Sequence, residues 1–84
     1  MRERIIYEII TKIKRYQEEE KSIKFYYKEL KIESSYCYKL FHKLDSEGLI
    51  ELKYKGNFIV PRVTQKGVER CQELNILINK NIGF

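Results

Sequence analysis

The sequence predicts a small α+β domain that is mainly helical: three helices, a two-stranded hairpin and a C-terminal helix. Three observations lead there. Apolar residues recur at steps of three and four over 3–20, 34–47 and 65–80, the period of a helix with one buried face. Residues 50–54 instead alternate, and Gly56-Asn57 follows, the pattern of a hairpin. The chain has 84 residues, room for a single thin core.

The first helix is predicted over 3–20, with Ile5, Ile6, Ile9, Ile10, Ile13 and Tyr16 as its apolar stripe and the charged run EEEKS at its end. That stripe is wide enough to meet both the core and a partner subunit. Ser22 is placed to cap a short second helix over 23–31, with Tyr26, Tyr27 and Leu30 facing inward. The chain then turns at KIES. Ser34 and Ser35 are expected to open a third helix over 34–47, their hydroxyls accepting from free backbone N–H groups. Cys37, Leu40, Phe41 and Leu44 form its inner face, and Gly48 stops it as a left-handed cap.

Ile50, Leu52 and Tyr54 alternate with Glu51 and Lys53, the period of a half-buried strand. Gly56-Asn57 makes a two-residue turn, and 58–63 return as a second strand that Pro61 marks as an edge. Thr64 caps the last helix, residues 65 to about 80, whose stripe is Val68, Cys71, Leu74, Leu77 and Ile78. The end, NKNIGF, is expected to be loose. Residues 1–64 thus read as one domain, and 65–84 as a C-terminal helix with a tail.

Seventeen Lys and Arg against twelve Asp and Glu give a formal net charge of +5, which favours polyanionic partners. No apolar run approaches the roughly 18 residues needed to span a bilayer, and MRERIIYEII is too charged and periodic for a secretory signal. A cytoplasmic protein without a membrane partner is expected. Cys37 and Cys71 form no CxxC pair, so no metal site is expected and both thiols are read as buried and reduced, the alternative for Cys71 being an inter-subunit disulfide across a two-fold axis. With one Asp, one His, no Gly-rich phosphate loop and no nucleophile paired with a base, an enzyme is not expected. Neither a cofactor nor a small-molecule ligand is called for.

The middle of the chain, LKIESSYCYKLFHKLDSEGLI, resembles the second half of a winged helix-turn-helix DNA-binding domain. Leu30 and Ile32 match the family's turn. Cys37, Leu40, Phe41 and Leu44 match the buried positions of its recognition helix, and Gly48, Leu49 and Ile50 its exit into the wing. VTQKG, residues 63–67, is similar to the segment by which such regulators leave the wing and enter a dimerisation helix. The likeness covers residues 3–78 and is nearest the small regulators of MarR and PadR style. Lys31 stands where the family usually has Gly, and Tyr27 where it usually has Ala.

The resemblance implies a regulator of transcription, a homodimeric repressor on double-stranded DNA, associated with the nucleoid. The residues permit the same chemistry independently. A helix fits the major groove if its outer face carries hydrogen-bonding groups, and Ser34, Ser35, Tyr36, Tyr38, Lys39, His42 and Lys43 make such a face. Ser35, Tyr36 and Lys39 are expected at base edges, His42 and Lys43 at phosphates. Lys53, Lys55 and Asn57 would carry the hairpin to the flanking backbone or minor groove. Ser22, Lys24 and Lys28 would clamp a phosphate on the other side. Ile6, Ile10, Ile13, Cys71, Leu74, Leu77 and Ile78 are expected to face a second copy, placing two recognition helices about 34 Å apart. A Lys-rich helix face is more often merely solvated. The competing readings are a winged-helix module that binds other proteins and a replication or partition factor of a mobile element.

Overall fold

A computed structural model describes residues 3–82, with side chains through residue 77. The elements follow as α1 (Glu3–Tyr16), a 3₁₀ turn (Gln17–Glu19), α2 (Ile23–Glu29), α3 (Ser34–Ser46), β1 (Ile50–Lys55), β2 (Phe58–Val63) and α4 (Gln65–Ile82). Four helices and one antiparallel hairpin make the mainly helical α+β fold that the periodicities predict.

One apolar cluster joins the four helices and β1, and partly buried Ile59 and Val63 of β2 pack against it. Ile6, Ile9, Ile10 and Ile13 come from α1, Ile23 and Tyr26 from α2, and Cys37, Leu40, Phe41 and Leu44 from α3. Leu49, Ile50 and Leu52 enter from the hairpin, and Leu74 from α4. Burying a side chain of this size is worth about 1.5–3 kcal/mol. Ile6, Ile10, Ile13 and Leu74 are therefore satisfied within one chain, and the stripes expected to face a second copy are largely spent on this core. Leu77 stays 41% exposed. The side chain of Ile78 lies outside the described residues.

The first helix stops at Tyr16, not at residue 20 as the pattern suggested. The 3₁₀ turn closes with the Glu20 N–H on the Gln17 carbonyl at 3.1 Å, Glu20 being left-handed at φ 51°. The cause is tertiary. Gln17 uses its side-chain oxygen to accept from the Val63 N–H at 3.0 Å and its carbonyl to accept from Arg62 at 3.4 Å. This turn therefore stitches the outer edge of β2.

The hairpin register runs from Ile50↔Val63 to Lys55↔Phe58, closed by Gly56-Asn57. Val63 directs its N–H outward to Gln17, and Pro61, two residues earlier, faces the same edge. Its missing donor costs no ladder bond. Ile50 and Leu52 turn inward, but Tyr54, expected half-buried, is 66% exposed, because the hairpin end extends past the core.

Two helices end in the same backbone motif. At the end of α3 the Leu49 N–H reaches the Leu44 carbonyl at 3.0 Å and the Gly48 N–H reaches Asp45 at 3.0 Å, with Gly48 at φ 77°. At the end of α2, two residues earlier than expected, the Ile32 N–H reaches Tyr27 at 3.1 Å and the Lys31 N–H reaches Lys28 at 3.3 Å. Both are Schellman closures. The second puts Lys31 at φ 56°, where a side chain costs about 1–2 kcal/mol. Glycine there would relieve that strain and lose about 0.4–1 kcal/mol through a freer unfolded chain. Lys31→Gly is thus expected to raise stability, by up to about 1 kcal/mol in urea unfolding. A variant less stable than the parent would disprove strain at this turn.

The serine caps differ from expectation. Ser22 occupies the N-cap of α2 in extended conformation, but its hydroxyl makes no capping bond; its carbonyl accepts from the Phe25 N–H at 3.0 Å. Glu33, not Ser34 or Ser35, is the N-cap of α3, and the Ser35 hydroxyl donates to the Glu33 carboxylate at 2.5 Å. Thr64 behaves as predicted: its hydroxyl accepts from the Gly67 N–H at 3.0 Å and donates to the Gly48 carbonyl at 2.6 Å. α4 continues to Ile82, so most of the segment expected to be loose is helical. Residues 83–84 lie outside the described residues.

On the inner side of α2, Tyr26 is fully buried and its hydroxyl has no hydrogen-bond partner among the described residues. Burial, with smaller contributions from Glu19 and Tyr16, pushes that hydroxyl up to about 12, and burial pushes the Cys37 thiol up to about 12 as well. Both groups hold their protons more tightly when folded. Their stability is therefore complete below pH 9 and is lost as pH rises towards 12. Tyr26→Phe removes an unsatisfied polar atom and is expected to gain about 1 kcal/mol at pH 7. It should also flatten the alkaline loss between pH 10 and 12. Thermal unfolding across that range checks both; a destabilised phenylalanine variant would mean the hydroxyl has a partner.

Candidate functional site

The packing of α3 dictates which of its residues face outward. With Cys37, Leu40, Phe41 and Leu44 buried, Ser34, Ser35, Tyr36, Tyr38, Lys39, His42 and Lys43 are all exposed, as the sequence predicted. Tyr36 and Tyr38 keep 47% and 37% of their surface open. Lys39 and Lys43 lie one turn apart on this face. Neither has an ion-pair partner among the described residues, and no acidic residue falls between Ser34 and Leu44. The face is therefore a run of hydroxyls, phenols and two free ammonium groups on a rigid support. Ser35, Tyr36 and Lys39 surround a small hollow at its N-terminal end.

A second basic surface lies between α2 and the hairpin. Lys21, Ser22, Lys24, Phe25 and Lys28 on one side, with Lys55, Phe58 and Val60 on the other, enclose an open groove of about 570 Å³ that Glu20 also lines. Four of the predicted residues, Ser22, Lys24, Lys28 and Lys55, thus come together, although the sequence suggested two separate clamps. Their cations differ in availability. Lys21 is 3.8 Å from Glu19 and sits 5.1 Å from the Phe25 ring centroid. Lys55 is ion-paired with Glu20. That hydrogen bond, reinforced by the Lys55 charge, holds the Glu20 carboxyl below its ordinary range. Lys24 and Lys28 have no ion-pair partner among the described residues. Phe25 is wedged edge-on between Tyr16 and Tyr26, at 4.8 and 5.3 Å between centroids, and gives the groove a firm wall.

Lys53 and Asn57 are exposed on the hairpin, Asn57 within its turn. Arg62 is not a free cation: besides Gln17 it reaches Glu18 at 3.3 Å. Sequence reasoning missed Lys21, Phe25, Phe58 and Glu20 as groove residues. The available signal was the register, since a two-residue turn places Phe58 opposite Lys55 and on the same face.

On the far side, α1 and α4 enclose Tyr7, Thr11, Val68, Cys71 and Asn75 in a smaller groove. Tyr7 donates to Asn75 at 3.1 Å, and Cys71 lies 3.7 Å from Thr11. Both cysteines are free; Cys37 is buried and Cys71 half-buried, so the sequence reading holds fully for the first only. Ile76 and Leu77 emerge beyond this groove, 66% and 41% exposed. Among the described residues no group of His, Cys, Asp and Glu could hold a metal ion. No helix there is long and apolar enough to cross a membrane.

No protein-family model matches the chain, and no curated protein does. The fold does have a solved counterpart. The chain is similar to AF1382 from Archaeoglobus fulgidus, whose crystal structure aligns with a TM-score of 0.73 at 20% identity, over 88% of this chain and 84% of that one. At that identity the likeness is one of fold.

Proposed function

We propose that the chain is a winged helix-turn-helix protein that binds double-stranded DNA and regulates transcription, with α3 in the major groove and the β1–β2 hairpin as its wing. The observation that carries this reading is the outward face of α3. It offers donors at helical spacing with no acidic residue between Ser34 and Leu44, the exposed Glu33 at its N-terminal edge being held by the Ser35 hydroxyl, and its opposite side is locked in the core. A helix so held is preorganised for a groove, and little order has to be gained on binding. Ser35, Tyr36 and Lys39 lie towards its N-terminal half, suited to base edges, while His42 and Lys43 are suited to phosphates. Lys53 and Asn57 reach out from the wing, and Lys24 and Lys28 offer further phosphate contacts.

Two copies would pair through the distal part of α4, where Ile76 and Leu77 are open, and such a dimer would repress by occupying a promoter. The reading is of a binding protein, without catalysis, working on the nucleoid in the cytoplasm. A protein-binding module of the same architecture is less favoured, because two lysines without an ion-pair partner among the described residues fit a polyanion better than a neutral protein surface.

The test is fluorescence anisotropy on a pool of random duplex DNA at two salt concentrations. Binding that weakens steeply with salt is the expected result. No binding at low salt would leave the basic face merely solvated and end this reading.

A further inference from the structure

The groove between α2 and the hairpin contains more than a backbone clamp requires. Holding phosphate needs cations, and Lys24 and Lys28 supply two, four residues apart and thus one helical turn from each other. It does not need an aromatic ring. Yet Phe58 stands at the lip with 61% of its surface exposed, on the same hairpin face as Lys55, its partner across the strands. Below it lies buried Val60, and across the groove the Phe25 wall. A volume of about 570 Å³ falls within the roughly 300–1,000 Å³ common among small-molecule sites. A nucleotide-sized group therefore has room.

A B-form duplex offers phosphates and base edges, but its base faces are covered by stacking. A ring in a cationic groove finds a flat partner most readily where a base is unpaired, since no step has to be unstacked. We propose that this groove binds unpaired nucleotides of a nucleic-acid strand, the base stacked on Phe58 and the adjoining phosphates on Lys24 and Lys28. Lys55 adds a third cation when it exchanges the Glu20 carboxylate for a phosphate. This rests on the nucleic-acid reading above but names a different ligand: a single strand, or the tail or opened end of a duplex, beside the helix α3 that reads paired DNA.

The experiment compares three labelled probes by anisotropy at one low salt concentration: a blunt duplex, the same duplex with a short thymidine tail at either end, and the thymidine strand alone. The protein is tested as the parent chain and as Phe58→Ala, Phe58→Tyr and Lys24→Ala/Lys28→Ala. The tail is expected to raise affinity about tenfold, the scale of one base stacked on an aromatic ring. Phe58→Ala should abolish that gain and leave blunt-duplex affinity within about twofold, while Phe58→Tyr keeps it. Phe58 is exposed, so an unchanged melting temperature verifies that the alanine variant is folded. The lysine pair should weaken the strand probe and make it less salt-sensitive. A tail that adds nothing, or a gain that survives Phe58→Ala, overturns the proposal. Blunt-duplex binding without a tail effect would refute this inference alone. Tail binding without blunt-duplex binding would support it and refute the duplex reading.

Discussion

Gly67→Ala is expected to lower the melting temperature by on the order of 15 °C, although alanine is the better helix former. Gly67 sits in the first turn of α4, where the helix passes directly over the start of the hairpin. A Cβ there would lie 2.0 Å from the Leu49 carbonyl oxygen and 2.8 Å from a methyl of Val63, where ordinary contact begins at 3.4 Å. The carbonyl cannot swing aside freely, because it accepts the Thr64 N–H at 3.2 Å. Helix propensity favours the substitution by about 1 kcal/mol. Overpacking against fixed backbone opposes it by about 1–3 kcal/mol and occasionally more, and this contact is severe. α4 would have to lift away, drawing Leu74 from the core and opening the Thr64 bonds to Gly48 and Gly67. A net loss near 3 kcal/mol is a large part of the stability of so small a domain, for which totals of about 5–15 kcal/mol are usual. Thermal unfolding by circular dichroism measures it. An alanine variant as stable as the parent would show that α4 does not approach the hairpin this closely.

That junction shows what a sequence can and cannot reveal. The residues Thr64 and Gly67 were visible as a segment resembling a wing exit, and Thr64 as a cap. That Gly67 is needed for close approach was not visible, because the clash is with Leu49, distant in sequence. The buried faces of α1 and α3 were legible because period alone sets which residues share a side, and the core leaves no freedom there. The caps were less legible. Serine at a helix start is favoured by propensity, but Glu33 takes the N-cap of α3 and the Ser22 hydroxyl stays unused, since backbone geometry suffices at both places. Lys31 takes its left-handed conformation because the Schellman closure needs a positive φ whatever residue supplies it, and nothing local in the sequence marked that demand.

The candidate surface divides in the same way. Every outward residue of α3 was legible, because exposure there is the complement of burial. The groove was not, because it depends on the 3₁₀ turn at 17–19 holding β2 beside α2. The EEE run looked like a solvated charge cluster. In the fold it restrains the hairpin, through Glu18 on Arg62 and Glu20 on Lys55. The same contacts reduce the number of free cations on the hairpin, so the DNA affinity proposed for this chain falls more heavily on α3.

Lys39→Ala/Lys43→Ala is therefore expected to have the largest effect on duplex binding. Lys43 neutralises one phosphate and so contributes about 0.9 to the slope of log affinity against log salt concentration, while Lys39, at a base edge, adds a loss that salt changes little. Relative to molar salt, the phosphate part of the loss at 0.1 M is then roughly 8-fold, and it shrinks about 3.5-fold between 0.05 and 0.2 M. This change with salt separates a phosphate contact from general damage, which would cost the same factor at each concentration. Stability should stay within about 0.5 kcal/mol, since both side chains are exposed and without ion-pair partners among the described residues. Anisotropy titrations of parent and variant at matched salt concentrations provide the check. A shallower salt slope with an unchanged melting temperature places α3 against the DNA backbone. If the slope stays the same, its lysines do not neutralise phosphate, and the groove between α2 and the hairpin becomes the primary nucleic-acid surface.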